Sequence, residues 1–213
     1  MRSAIGIEEP DLLLVVDVQK DFCPGGRLEI KEGDAVVPVI NRLARLFRHA
    51  VLTQDWHPAG HLSFASAQPG KRPFESIALP YGEQTLWPDH CVQGSDGAEF
   101  HAGLSVLCSE LILRKGFRRD VDSYSAFKEN DRKTSTGLRG YLKERGFRRL
   151  FAVGLALDVC VRFSAEDAAE AGFETYVVVD ACRAVDPRAG LEAAKRSFAK
   201  AGVTMVESAA LAS

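Results

Sequence analysis

Residues 53–61 read TQDWHPAGH, which sets the carboxylate of Asp55 close to two imidazoles, His57 and His61. A third, His90, stands downstream in WPDHC. One carboxylate and two imidazoles, with positions left open for water, suit a divalent ion such as Zn, Fe or Mn. In extended chain Asp55 and His57 project to the same side, because alternate residues share a face. The plainer reading of TQDWHPAGH alone is a solvated polar loop. A second set of reactive types is more scattered: Asp17 in VVDVQKDFCPGG, Lys115 in LRKG and Cys160 in GLALDVCV. A thiol in the first turn of a helix, near a lysine, has a lowered pKa and can attack a carbonyl. A carboxyl among apolar neighbours has its pKa raised toward the range useful for proton transfer, which a nearby lysine opposes. Each has a bland alternative. Cys160 can be a buried structural thiol, the reading that fits Cys108 and Cys182. Asp17 can be a strand-end group that binds the amides of the Gly25–Gly26 turn.

Short β-type runs alternate with helix-period stretches. Residues 12–18 (LLLVVDV), 50–53, 110–114, 150–155, 175–179 and 203–206 read as strands. Residues 34–49, 134–145, 158–171 and 187–201 read as helices, with Asp34 placed as an N-cap and Gly146, Gly172 and Gly202 as stops. Strand followed by helix, repeated, predicts an α/β fold with a parallel sheet covered on both faces. Asp17, Asp55, Lys115 and Cys160 then fall at or just beyond the ends of four strands. In a parallel sheet those ends share one edge, where open α/β folds bind ligands. Residues 56–109 break the rhythm. They hold five of the nine prolines and both tryptophans, and so large a loop-rich insertion in one domain spanning 1–213 points to function.

Composition narrows the field. The chain has 213 residues, 46% hydrophobic and 26% charged, with a formal net charge of -2. No overall basic footprint for nucleic acid is present. The apolar runs near 12–16 and 150–157 are too short to span a bilayer. Five dispersed cysteines make a poor disulfide framework, and residues 1–10 lack the apolar stretch of a secretory signal, so the expectation is a reducing, cytoplasmic setting. A homo-oligomer is compatible with the sequence.

The segments VVDVQKDFCPGG, TQDWHP, WPDHCVQGSDGAEF, KG after a strand, and GLALDVCVRFSAEDA, in that order, resemble the nicotinamidase branch of the isochorismatase-like cysteine hydrolases. The similarity runs from about residue 10 to the C-terminus. It implies a three-layer α/β sandwich whose six-stranded parallel sheet is flanked by helices. It implies deamidation of nicotinamide to nicotinate and ammonia through a thioester. By position, Asp17, Lys115 and Cys160 take the catalytic roles, and Asp55, His57 and His90 hold one divalent metal ion. The backbone N–H groups of Ala156 and Cys160 form the oxyanion hole, beside a cis Leu155–Ala156 peptide. Phe22, Trp87 and Tyr124 line the ring pocket. His61 is a second-layer group or an additional ligand. Leu157 and Val159 depart from the residues many relatives carry beside the nucleophile. Two other readings remain open at this point: an amide hydrolase of the same family acting on a carbamoyl group, and a non-enzymatic metal or thiol sensor.

Overall fold

A computed structural model describes residues 4–212. Its strands are β1 (Ile5–Gly6), β2 (Asp11–Val16), β3 (His49–Asp55), β4 (Ser76–Leu79), β5 (Gly82–Thr85), β6 (Ser109–Lys115), β7 (Arg149–Leu155), β8 (Glu174–Arg183), β9 (Thr204–Val206) and β10 (Leu211–Ala212). The α-helices are α1 (Val36–Leu43), α2 (Leu138–Glu144), α3 (Arg162–Glu170) and α4 (Ala189–Ala201). Six strands form one sheet in the order β6-β3-β2-β7-β8-β9, and every pairing in it is parallel. Two short pairs stand apart from it: β1 with β10, and the antiparallel hairpin β4–β5 within the insertion.

The central strand β2 shows why the sheet is sandwiched. All six of its residues are buried. Leu13 and Val15 point into a core shared with Val36, Ile40 and Leu43 of α1. Leu12, Leu14 and Val16 point the other way, into a core shared with Leu138, Leu142, Ala165, Ala168 and Phe198 of the remaining helices. A strand buried on both faces must be apolar at every position rather than at alternate ones, which is what its LLLVV run supplies.

Gly154 in β7 shows how closely the central strands approach. It has φ +112°, and an added Cβ would lie 2.1 Å from the Val16 carbonyl oxygen. A side chain there meets both backbone strain and a main-chain clash. Gly154→Ala is expected to destabilise the fold by about 2–5 kcal/mol. A thermal-denaturation midpoint equal to that of the unsubstituted protein would refute this packing.

Several boundaries differ from the sequence reading, each for a local reason. Asp34 caps nothing: it lies inside a 3-10 turn (Gly33–Ala35) that leads into α1, whose N-cap is Ala35. Helix α1 stops at Leu43, and Phe47 reaches the core from the following turn, where its ring packs edge-on against Phe151 at 5.3 Å. The helix expected from residue 158 begins as a π-helical turn, Leu157–Val161, and becomes α-helical only at Arg162. The Asp158 carboxylate accepts the backbone N–H groups of Val185 and Asp186, each at 2.9 Å, so it pins the segment after β8 instead of capping its own helix.

Candidate functional site

Strand ends deliver the reactive groups as the parallel topology requires. Lys115 closes β6, Asp55 closes β3, Asp17 follows β2, and Cys160 sits in the π-helical turn after β7. Lys115 is the hub. Its Nζ lies 2.8 Å from Asp17 Oδ2, 3.0 Å from the Ser123 carbonyl oxygen and 3.4 Å from Cys160 Sγ, and it also donates to Asp55 Oδ1. Its side chain is fully buried. Burial alone would drive off its proton, but the Asp17 and Asp55 carboxylates outweigh burial and hold the amine well above the ordinary lysine range.

Asp17 does not bind the Gly25–Gly26 turn. Its Oδ1 accepts the Thr53 hydroxyl, and its own N–H donates to Thr53 Oγ1 at 3.2 Å. Thr53 and Asp55 share a face of β3, so alternation along that strand was the signal for this partner. Asp17 has φ +49°, a left-handed conformation that aspartate tolerates better than most residues. Its Oδ2 lies 2.8 Å from Lys115 Nζ and accepts from no other group. Burial raises the carboxyl pKa and Asp55 adds to this, against the pull of Lys115. The amides of the neighbouring loop are bound instead by Asp21, through Arg27 N–H at 3.2 Å and Cys91 N–H at 2.7 Å.

Cys160 is buried, and its Sγ lies within 4.8 Å of carboxylate oxygens of both Asp17 and Asp55. Desolvation pushes its pKa well above the ordinary thiol value; Lys115 pulls it down, and the Asp17 and Asp55 carboxylates push it up. The expected helix-end activation is therefore reversed. A thiol raised in this way needs a base beside it to attack a carbonyl.

Asp55 serves two neighbourhoods. While Oδ1 receives Lys115, Oδ2 lies 3.6 Å from His57 Nε2 and 3.6 Å from His90 Nε2. Burial works against ionisation of Asp55, but Lys115 and the two histidines outweigh it and hold its carboxyl far below the usual range. Both histidines are buried and aimed from behind: His57 Nδ1 bonds the Gly116 carbonyl at 2.9 Å, and His90 Nδ1 bonds the Pro88 carbonyl at 2.8 Å. A carbonyl acceptor assigns the proton to Nδ1 and turns the Nε2 lone pair inward. Bonds of about 2.0–2.2 Å to one ion would set neighbouring donor atoms about 3–3.5 Å apart. The trio thus fits a divalent cation with little movement. Gly116 is required for this fit: it has φ +67°, and a Cβ there would lie 2.5 Å from the His57 ring.

His61 lies beside the trio rather than in it. Its ring centroid is 4.4 Å from that of His57, but its Nδ1 meets Ser63 Oγ at 2.7 Å and its Nε2 meets the Val121 carbonyl at 3.3 Å. With both ring nitrogens bound to protein, it has no lone pair to offer.

A pocket opens among these groups. Phe22, Trp87 and Tyr124 contribute aromatic walls, and Asp55, His57, His90, Ala156 and Cys160 line it too. Trp87 Nε1–H donates to the Tyr124 hydroxyl at 3.2 Å, and the Phe22 ring lies 5.4 Å from that of His90. The Leu155–Ala156 peptide is cis. Of the two departures beside the nucleophile, Val159 lines the pocket, whereas Leu157 is buried in the core shared with α2, α3 and α4.

The sequence reading missed several residues here. Gln19 is fully buried and clamps the Asp55 peptide from both sides: its Nε2 donates to the Asp55 carbonyl and its Oε1 accepts the Asp55 N–H, each at 2.8 Å. Its place two residues after Asp17 was the only hint. Asp122 arrives from a loop and Gln84 from the short strand β5, and neither carried a signal. All five cysteines are free. Among the described residues no helix is long and apolar enough to cross a membrane.

Comparison with known proteins gives a consistent picture. Residues 11–210 match the model of the isochorismatase domain. The chain is 52% identical over 196 residues to a nicotinamidase of Acinetobacter baylyi, covering 92% of each protein. Among solved structures it superposes on the Acinetobacter baumanii nicotinamidase/pyrazinamidase with a TM-score of 0.93 and 50% identity, over 95% of this chain and 98% of that one. The Pyrococcus horikoshii pyrazinamidase, solved in complex with zinc, gives a TM-score of 0.75 at 33% identity, over 93% of this chain and 99% of that one.

Proposed function

The chain belongs to the isochorismatase domain family, and from that premise we propose that it is a cysteine amidohydrolase that converts nicotinamide to nicotinate and ammonia. The observation that carries the reading is the Lys115 amine, held in contact with Asp17 and with Cys160, which itself lines an aromatic pocket. Asp17 removes the Cys160 proton as sulfur attacks the carboxamide carbon. Lys115 stays within reach of whichever of the two carries the negative charge. The developing oxyanion is received by the backbone N–H groups of Ala156 and Cys160. Asp17 returns the proton to the nitrogen as the C–N bond breaks, so ammonia leaves and an acyl thioester remains. Water, deprotonated by Asp17, then attacks the thioester carbon, releasing the carboxylate and restoring the thiol. Phe22, Trp87 and Tyr124 hold the pyridine ring.

We assign Asp55, His57 and His90 as the ligands of one divalent ion, with zinc, iron and manganese all suited to the donor set. Such an ion would supply a Lewis-acid contact to the pyridine nitrogen, holding the substrate's far end. His61 belongs to the layer behind, supporting His57.

Release of ammonia from nicotinamide by the purified protein tests the function directly; a protein inert toward nicotinamide with zinc, iron or manganese supplied refutes it. Benzamide tests the ring contact, since it has the same amide and no ring nitrogen. It is expected to be a far poorer substrate, and chelation should depress nicotinamide turnover strongly while changing the small benzamide rate much less. Equal fractional losses on the two amides would instead place the ion in the bond-breaking chemistry.

A further inference from the structure

The mechanism leaves one buried pocket carboxylate without a task. Asp122 is 2% exposed and lines the same pocket as Asp55, His57 and His90. It comes from the segment after β6, beyond the strand edge that supplies the other acids. One of its oxygens, a ring nitrogen of His57 and a ring nitrogen of His61 all lie within 4.8 Å of one another. This second trio shares His57 with the first and cannot be an independent ion site. His57 keeps Nδ1 on the Gly116 carbonyl and so has a single nitrogen to give, while His61 has both nitrogens bound to protein. The second trio therefore adjoins the first, sharing His57 with it.

Asp122 is held in place by neutral donors. Its Oδ1 accepts the Ser123 N–H at 2.8 Å, and its Oδ2 accepts Gln84 Nε2 at 3.0 Å. Gln84 is fully buried and comes from β5 of the small hairpin. The same amide nitrogen lies 2.8 Å from the Tyr124 hydroxyl, and Asn130 Nδ2 donates to Gln84 Oε1 at 3.1 Å. A carboxylate buried among neutral donors lacks a counter-charge, and such a charge is costly unless something offsets it. A dication beside His57 would do so. The first trio has the converse need, because the charge of Asp55 is shared with Lys115.

We propose that Asp122 is a positioning residue that strengthens divalent-cation binding at Asp55, His57 and His90 by placing a second negative charge beside His57, in an orientation set by Gln84. The inference rests on the reading of that first trio as a metal site. It also gives the β4–β5 hairpin a purpose: it carries the amide that fixes both this charge and the ring wall at Tyr124.

The test is zinc affinity of the metal-stripped protein, measured by competition with a chromogenic chelator. Asp122→Asn keeps the shape and removes the charge, and it is expected to weaken zinc binding about 10–100-fold, the range for groups behind metal ligands. Asp122→Glu restores the charge and should recover most of the affinity, which a purely structural role would not produce. Gln84→Met leaves Asp122 in place and should weaken binding by a smaller factor. If Asp122→Asn binds zinc as tightly as the unsubstituted protein, the inference is overturned and the metal site stands. If the unsubstituted protein binds no zinc, or His57→Ala binds it equally well, the metal-site reading fails and the inference fails with it. Should Asp122→Asn not fold, Gln84→Met decides by the same titration, and an unchanged affinity there overturns the proposal.

Discussion

Cys160→Ala is expected to lower nicotinamide turnover by about 10⁴-fold or more, because the attacking atom and its base act as a unit and loss of either removes most of the catalysis. Binding should persist. The pocket walls at Phe22, Trp87 and Tyr124 and the trio Asp55, His57 and His90 do not depend on the sulfur. The variant should therefore still bind nicotinate in a calorimetric titration with an affinity within a few-fold of the original. The substitution removes one buried atom, so circular dichroism should show an intact fold. A variant that keeps a tenth of the original turnover would show that water or another group attacks the amide directly. The thioester would then be wrong whatever the status of the other residues.

Asp17→Asn should cost nearly as much, through a different route. Burial and the neighbouring carboxylates raise the pKa of the Cys160 thiol against the pull of Lys115, so its attack depends on a base. Asparagine cannot take its proton. Loss of general-base catalysis alone is worth about 10²–10⁴-fold in kcat. The substitution also removes one of the two carboxylates that balance Lys115, so the melting temperature has to be followed beside the rate. Rapid quenching separates the two halves of the reaction. If Asp17 serves both, the variant gives neither steady turnover nor a fast release of one ammonia per active site. A full burst followed by a stalled thioester would mean that the first proton goes elsewhere, and Asp17 would keep only the hydrolytic step.

What the sequence revealed depended on how local the cause was. Apolar runs such as Leu12–Val16 need no partner to be recognised, so the central strands were placed to within a few residues. The strand-edge rule then brought Asp17, Asp55, Lys115 and Cys160 to one rim without any knowledge of their contacts. Features set by tertiary geometry were lost. Strand β8 runs to Arg183, four residues further than its apolar run indicates, because it continues past an irregularity in its pairing with β7. The pairs β1–β10 and β4–β5 are too short to show alternation. Asp122 belongs to a loop, and Gln84 to the two-stranded hairpin β4–β5, whose courses are fixed by what they pack against. The direction of the thiol's pKa shift was lost for the same reason. The helix-end effect could be read from sequence, whereas the opposing burial and the nearness of two carboxylates appear only once the chain is folded.

The strand order has a consequence for how the molecule is made. Strand β2 leaves the ribosome long before one of its two partners in the sheet, for these are β3 and β7, and β7 begins at Arg149. Until that segment is synthesised, one whole edge of the most apolar strand has no main-chain partner. Asp17 likewise waits for Cys160. Pairings this distant in sequence pay their loop-closure entropy before they return any contact energy, so such sheets fold slowly and pass through states with exposed strand edges. Rapid synthesis in a crowded cell should therefore favour aggregation over folding for this chain, and slower translation at lower temperature should raise the recovered yield of active protein.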